Sequence, residues 1–247
     1  ESGQEEEVLA GIWKDLGLRN FDTTVMLRFS EYQLLLMDAP DVPESEMAQA
    51  VRWKIKDMVD YPPAEATVDV IRLPLSGQRT RQVYAVCARN TIVAYYMKSC
   101  LKAGVNLKAV DIPEMAINEL IPAQDGNVVV LAFDEAAGYL VFISRGLVFH
   151  VRHLDIILSK LESVSKERLV LEVQRSMDHV ERQFHEWPVS RLVLLEPPDI
   201  SLKEDLGRAL GLPLDSLKCP SFLSQEVSCD LLAEAWLLYG MLLKERS

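Results

Sequence analysis

The side chains able to do chemistry are spread thinly along these 247 residues. Asp134 and Glu196 could meet across a cleft as a carboxylate pair, the usual equipment for acid–base work or for holding a cation. No nucleophile or cation accompanies them, so a solvated pair is the plainer reading. The four histidines converge no better. His150 and His153 flank Val151-Arg152 at a strand spacing that sends them to opposite faces. His179 and His185 lie on one helix at a separation that does not bring them face to face. The patterns GxSxG, GxxxxGKS/T, GxGxxG and HExxH are absent, which removes the common hydrolase, P-loop, dinucleotide and zinc-protease signatures. No catalytic residue, metal ligand or cofactor is assigned. What stands out is Arg52-Trp53-Lys54-Ile55-Lys56, an aromatic among cations, suited to gripping another molecule rather than transforming one. Trp53 is either packed against its own lobe or set at the rim of a partner groove. The residues alone leave both open.

Charge narrows the partners. Asp and Glu number 37 against 26 Lys and Arg, a net charge of −11. That opposes nucleic acid and anionic membrane surfaces except through a local basic face such as Arg52, Lys54 and Lys56. A 49% apolar composition with mean hydropathy near zero is that of a soluble globular protein with a sizeable core. Glu1, Glu5, Glu6 and Glu7 are the opposite of a cationic leader, and no apolar run approaches the roughly 20 residues that span a bilayer. Cys87, Cys100, Cys219 and Cys229 have no CxxC spacing and read as free thiols of a reducing compartment. A soluble cytoplasmic chain is expected.

The elements that must position these residues read as two halves, 1–122 and 123–247. In the first, Val8–Leu16 is helical, and Thr23–Phe29 and Tyr32–Met37 read as adjacent strands. A helix over 44–60 follows, with Met47, Val51, Ile55 and Met58 as its apolar stripe and Tyr61-Pro62-Pro63 as its stop. Strands near Ala66–Leu73 and Gln82–Ala88 lead to a helix over Thr91–Ala103. Ile92, Val93, Tyr96, Met97, Cys100 and Leu101 fall on one face of it, and Gly104 caps it. A strand, Leu107–Ile112, then meets a short helix opening on Pro113. In the second half, Val128–Phe133, Tyr139–Ile143 and Leu147–Arg152 form an antiparallel meander. A long helix to about Phe184 carries Leu169, Val173, Met177 and Val180. After it come a strand (Arg191–Leu195), a helix ending at Gly211, a short strand (Leu214–Lys218) and a final helix from Leu231. Trp13, Trp187 and Trp236 fall on or beside apolar stripes and read as core. Meanders followed by helices, twice over, predict α/β with mixed sheets.

That grammar is the grammar of actin-like ATPase (RNase H-like) folds. The phrases Tyr32-Gln33-Leu34-Leu35, Arg52-Trp53-Lys54, Asp60-Tyr61-Pro62 and Val68-Asp69 resemble the PilM-like proteins of type IV pilus assembly. Asp111-Ile112-Pro113-Glu114-Met115-Ala116 and Val173-Gln174-Arg175-Ser176-Met177-Asp178 are similar to the branch serving mannose-sensitive haemagglutinin pili. The resemblance runs from about Leu16 to the end. It implies a two-lobed actin-like fold whose N-terminal hairpin, bearing the first phosphate turn, is missing from this chain. It also implies a cytoplasmic scaffold that binds a bitopic inner-membrane partner and connects it to an assembly ATPase, with self-association left open. Arg52, Trp53 and Lys56 are then the candidate receptor residues. In such folds β-turns hold ATP phosphates through backbone N–H groups. Here the second turn would read Asp134-Glu135-Ala136-Ala137-Gly138, without the early glycine and with an added anion. The adenosine-side turn would read Glu196-Pro197-Pro198, with two backbone donors removed. A degenerate cleft and no enzymatic activity are expected. A functional ATP site, or the cytoplasmic actin-like domain of a type II secretion platform protein, are the alternatives.

Overall fold

The computed structural model describes residues 2–15, 22–74, 81–133, 138–156, 163–183, 188–195, 200–217 and 232–244. Its packing divides the chain into two units, one of residues 1–72 and 80–113, the other of 73–79 and 114–247.

The first unit opens with α1 (Ser2–Asp15), which packs on α3 (Asn90–Ala103). Strand β1 (Asp22–Met26) does not pair with the strand that follows it. It runs parallel to β5 (Asn106–Asp111), and the Leu27 N–H extends the ladder to the Asp111 carbonyl at 2.8 Å. The expected neighbour, β2 (Tyr32–Asp38), belongs to a different sheet of order β2-β4-β3, with β3 at Ala66–Arg72 and β4 at Gln82–Arg89, all antiparallel. A single 3-10 turn, Phe29–Glu31, redirects the chain between them, with the Glu31 carboxylate accepting from the Arg28 N–H at 2.8 Å.

Helix α2 (Glu44–Lys54) lies on one face of that sheet. Its acidic first turn and basic last turn both suit the helix dipole. Val51 and Ile55 are fully buried and join Tyr61, Ala66, Val68, Val83, Ala85 and Cys87 in one apolar cluster. The helix is shorter than its sequence pattern. From Ile55 to Asp57 it tightens to 3-10, which changes the angular step per residue. Met58 consequently leaves the stripe and is exposed, and Val59 packs in its place.

The second unit is built on a five-stranded sheet of order β10-β9-β6-β7-β8. The meander β6 (Asn127–Phe133), β7 (Gly138–Ser144) and β8 (Leu147–Leu154) is antiparallel, and β9 (Arg191–Leu195) and β10 (Leu214–Leu217) add in parallel. Every residue of β7 is buried. Helices α5 (Ser163–Gln183) and α6 (Ile200–Leu210) cover the sheet. Leu169, Val173, Met177 and Val180 of α5 and Leu202 and Leu206 of α6 enter the core with Val129, Leu131, Leu140 and Phe142. Arg191 ties the sheet's rim to neighbouring segments by pairing with Asp125 and, at 2.8 Å, with Asp215. Helix α4 (Pro113–Glu119) packs on the last helix, α7 (Leu232–Lys244), where Gly240 meets the backbone of Ala116. Trp236 of α7 is buried, as expected; Trp187 and the side chain of Trp13 lie outside the described residues.

Candidate partner-binding surface

The three expected receptor residues sit at the C-terminal end of α2 and in the turn after it. The stripe Val51–Ile55 faces the sheet, so the residues between and beyond are turned outward. Trp53 is 73% exposed. Its indole is therefore not part of the unit's core, which sets aside the packing reading. Lys56 is exposed as well. Arg52 is half-buried, and its Nε is enclosed without a hydrogen-bond acceptor. Lys54 is committed locally, donating from Nζ to the Asp38 carbonyl of β2 at 3.1 Å. An aromatic face and two cations, one with an enclosed donor, are thus gathered at the end of α2 and in the turn after it.

A second feature of the same unit escapes the sequence reading. At one end of the β2-β4-β3 sheet lies an open cavity of about 160 Å³ lined by Glu31, Tyr32, Asp60, Tyr61, Cys87 and Arg89, among others. The Arg89 guanidinium lies 4.3 Å from the centre of the Tyr61 ring and pairs with Asp60 at 3.0 Å. Glu31 accepts from the Tyr96 hydroxyl at 2.9 Å. Burial and that hydrogen bond push the Tyr96 phenol up to about 12, and burial pushes the Cys87 thiol up to about 11. Both groups are therefore neutral at physiological pH, and the cavity's formal charges are those of Glu31, Asp60 and Arg89. The signal was present in Asp60-Tyr61-Pro62. Nothing local announces that Arg89 and Glu31, from other elements, complete it.

Of the residues expected in the nucleotide cleft, Gly138 alone is described. Asp134, Glu135 and Glu196 lie outside the described residues. Gly138 opens β7, and a Cβ there would come within 3.0 Å of the Phe133 ring and 3.3 Å of the Leu154 Cβ. Its missing side chain makes room for apolar packing. Among the histidines, His150 and His153 reach different helices. His153 bonds the buried Glu114 carboxylate of α4 at 2.6 Å and stands edge-on to Tyr139. His150 approaches His179 of α5 with ring centres 5.8 Å apart, a pairing the sequence did not suggest. His185 lies outside the described residues, among which no cluster of three or more metal-ligating side chains occurs. Cys87 and Cys100 are free and buried; Cys219 and Cys229 lie outside the described residues. No helix among the described residues is long and apolar enough to cross a membrane.

No family model matches the chain, and no curated protein matches it by sequence. Solved structures do. The structure of a PilM–PilN type IV pilus biogenesis complex matches with a TM-score of 0.75 at 20% identity, over 96% of this chain and 85% of that one. The cytoplasmic domain of EpsL, an inner-membrane component of the type II secretion system of Vibrio cholerae, matches with a TM-score of 0.56 at 15% identity, over 96% and 80%. A Bacteroides thetaiotaomicron protein with an actin-like ATPase fold and unknown function lies further off, with a TM-score of 0.47 at 8% identity over 88% and 72%. The fold is the mixed α/β actin-like one that the order of strands, turns and helices implied.

Proposed function

We propose that this chain is an actin-like scaffold of a type IV pilus assembly platform at the cytoplasmic face of a bacterial inner membrane. It would hold the cytoplasmic part of a bitopic membrane protein and connect it to the assembly ATPase. The likeness to the PilM–PilN structure over nearly the whole chain supports the pilus reading, and the lower score against EpsL makes a secretion platform the second. Within the pilus reading, the Asp111–Ala116 run favours MshI, of the mannose-sensitive haemagglutinin system. The observation that carries a binding role is the exposed Trp53 between Arg52 and Lys56 on a helix end. Interface hot spots are enriched in Trp and Arg, and a tail offering a carboxylate beside an apolar side chain would meet both the indole and the exposed Lys56.

Capture of membrane proteins by the intact protein, followed by affinity measurement on variants, tests this. Trp53→Ala and Arg52→Glu are each expected to weaken partner binding by about 2 kcal/mol or more while leaving the melting temperature within a degree or two. Undiminished affinity in well-folded variants would place the receptor elsewhere on the molecule.

A further inference from the structure

Strand β2 lies at one end of the order β2-β4-β3, and β4 is its one strand neighbour among the described residues. Their register runs without a bulge from Tyr32 opposite Ala88 to Asp38 opposite Gln82. The Ala39 N–H, one residue on, donates to the Arg81 carbonyl at 2.8 Å. Antiparallel residues point alternately at the partner strand and away from it. Gln33, Leu35 and Met37 therefore bond to β4, while the N–H and C=O groups of Tyr32, Leu34, Leu36 and Asp38 point outward. The Asp38 carbonyl agrees, since it accepts from Lys54 Nζ at 3.1 Å. No described residue bonds the outward groups of Leu34 and Leu36. Sheet edges are ordinarily blunted. At β3, on the other side of the same sheet, the Asp69 carboxylate takes the outward Val70 N–H at 2.8 Å, and Arg72 pairs with Glu44. By contrast β2 reads Tyr32-Gln33-Leu34-Leu35-Leu36-Met37, without charge, proline or glycine.

We propose that β2 pairs antiparallel with β2 of a second copy of this chain, about a twofold axis at Leu35, joining two three-stranded sheets into one. Self-complementarity selects this occupant. With Leu34 opposite Leu36 of the second copy, and Leu36 opposite its Leu34, the outward groups of each copy satisfy those of the other. Shifting the register a step either way draws instead on Tyr32 or on the Asp38 carbonyl that Lys54 already holds. Side chains match as well. Leu35 meets Leu35, Gln33 meets Met37, and Asp38 falls opposite Tyr32, so two chains of net charge −11 oppose no carboxylates along the strand. Glu31, at the strand's start, is held by the Tyr96 hydroxyl and the Arg28 N–H. Leu35 and Met37 pack on the α2 side of the sheet, so half-buried Leu34 and Leu36 face the other way and gain a matching apolar row. The inference depends neither on the platform reading nor on the Trp53 face.

Sedimentation of the full chain over a range of concentrations reads the association. A reversible dimer is expected, one that dissociates on dilution because a strand edge buries little surface. Leu36→Pro removes an outward donor and leaves the ladder to β4 whole. It is expected to raise the dimer's dissociation constant about tenfold or more, since half of the bonds between copies lose their donor. Leu34→Lys charges the edge while keeping every backbone donor, is expected to weaken the dimer similarly, and serves where the proline lowers the melting temperature. Leu35→Cys sets two thiols opposite each other at the axis, in a non-hydrogen-bonded pair whose Cα spacing of about 4.5 Å admits a disulfide. Mild oxidation is expected to give a covalent dimer of that variant, scored against the unaltered chain with its native cysteines. Gln33→Cys, facing Met37 of the second copy, is expected to give none. A chain that is monomeric at every concentration overturns the proposal, as does a dimer that Leu36→Pro and Leu34→Lys leave undiminished or that Leu35→Cys fails to lock. So does a monomeric chain that captures a membrane partner and loses it in Leu36→Pro, which would give the edge to that partner's strand.

Discussion

A side chain at Gly240 has nowhere to go. The residue lies inside α7 on the face that also buries Trp236, Leu237 and Met241, and a Cβ there would land on the carbonyl oxygen of Ala116 in α4. Ordinary helix energetics point the other way, since alanine is favoured over glycine in a helix interior by about 1 kcal/mol. Overpacking against backbone, which cannot rotate aside as a side chain can, costs about 1–3 kcal/mol and here opposes that gain. Gly240→Ala is therefore expected to lower the melting temperature by several degrees. A rise would show that the two helices part easily and that the glycine is incidental. Trp53 teaches the converse. Its type and neighbours were legible in the sequence, but whether it was core or surface was not, because an aromatic on an amphipathic helix satisfies either role until the sheet beneath it is known.

At the scale of elements, the sequence was informative where signals are local and uninformative where pairing is distant. Turn residues placed the meander β6–β8, and Gly104 ended α3 with φ 73° as a left-handed cap should. The parallel pairing of β1 with β5 leaves no local trace, because parallel strands are joined by long crossovers rather than by a turn. Two consecutive strands were therefore read as neighbours although they serve different sheets. The apolar face of α3 has a related limit: Met97 and Leu101 share it with buried Cys100 yet are exposed, because apolar periodicity shows that a stripe exists, not which elements arrive to cover it. The contact between β8 and α5 is another distant pairing, and it carries a prediction. Burial, then His179, then Arg152, lower the His150 imidazole to about 4. The folded state thus keeps it neutral while the unfolded chain takes up a proton near pH 6.5. Its contribution to stability is complete above that value and is lost as pH falls from about 6.5 to about 4, levelling off below. Urea titrations at pH 7 and pH 5 are expected to differ by about 2 kcal/mol more in the unaltered chain than in His150→Gln. Equal differences would mean that the imidazole is hydrated or charged when folded.

For the whole molecule, the fold is recognisable, and the scaffold reading proposes that its nucleotide cleft no longer holds phosphates. The strand and helix order suffices for an actin-like architecture, because topology survives substitutions that any single phosphate turn does not. In sequence, the segment after β6 reads Asp134-Glu135-Ala136-Ala137, and the one after β9 reads Glu196-Pro197-Pro198. Glutamates repel phosphate, prolines lack the N–H that would cradle it, and alanine keeps the backbone further off than glycine. The scaffold reading therefore expects ATP with magnesium to leave the chain's stability unchanged. A ligand that binds only the native state stabilises by RT ln(1 + [L]/Kd), about 2.7 kcal/mol at a hundredfold excess over Kd. Millimolar ATP on a micromolar site would therefore shift the melting temperature by several degrees, and no shift is expected here. A magnesium-dependent shift of several degrees would instead make the protein a nucleotide-responsive element and overturn the scaffold reading.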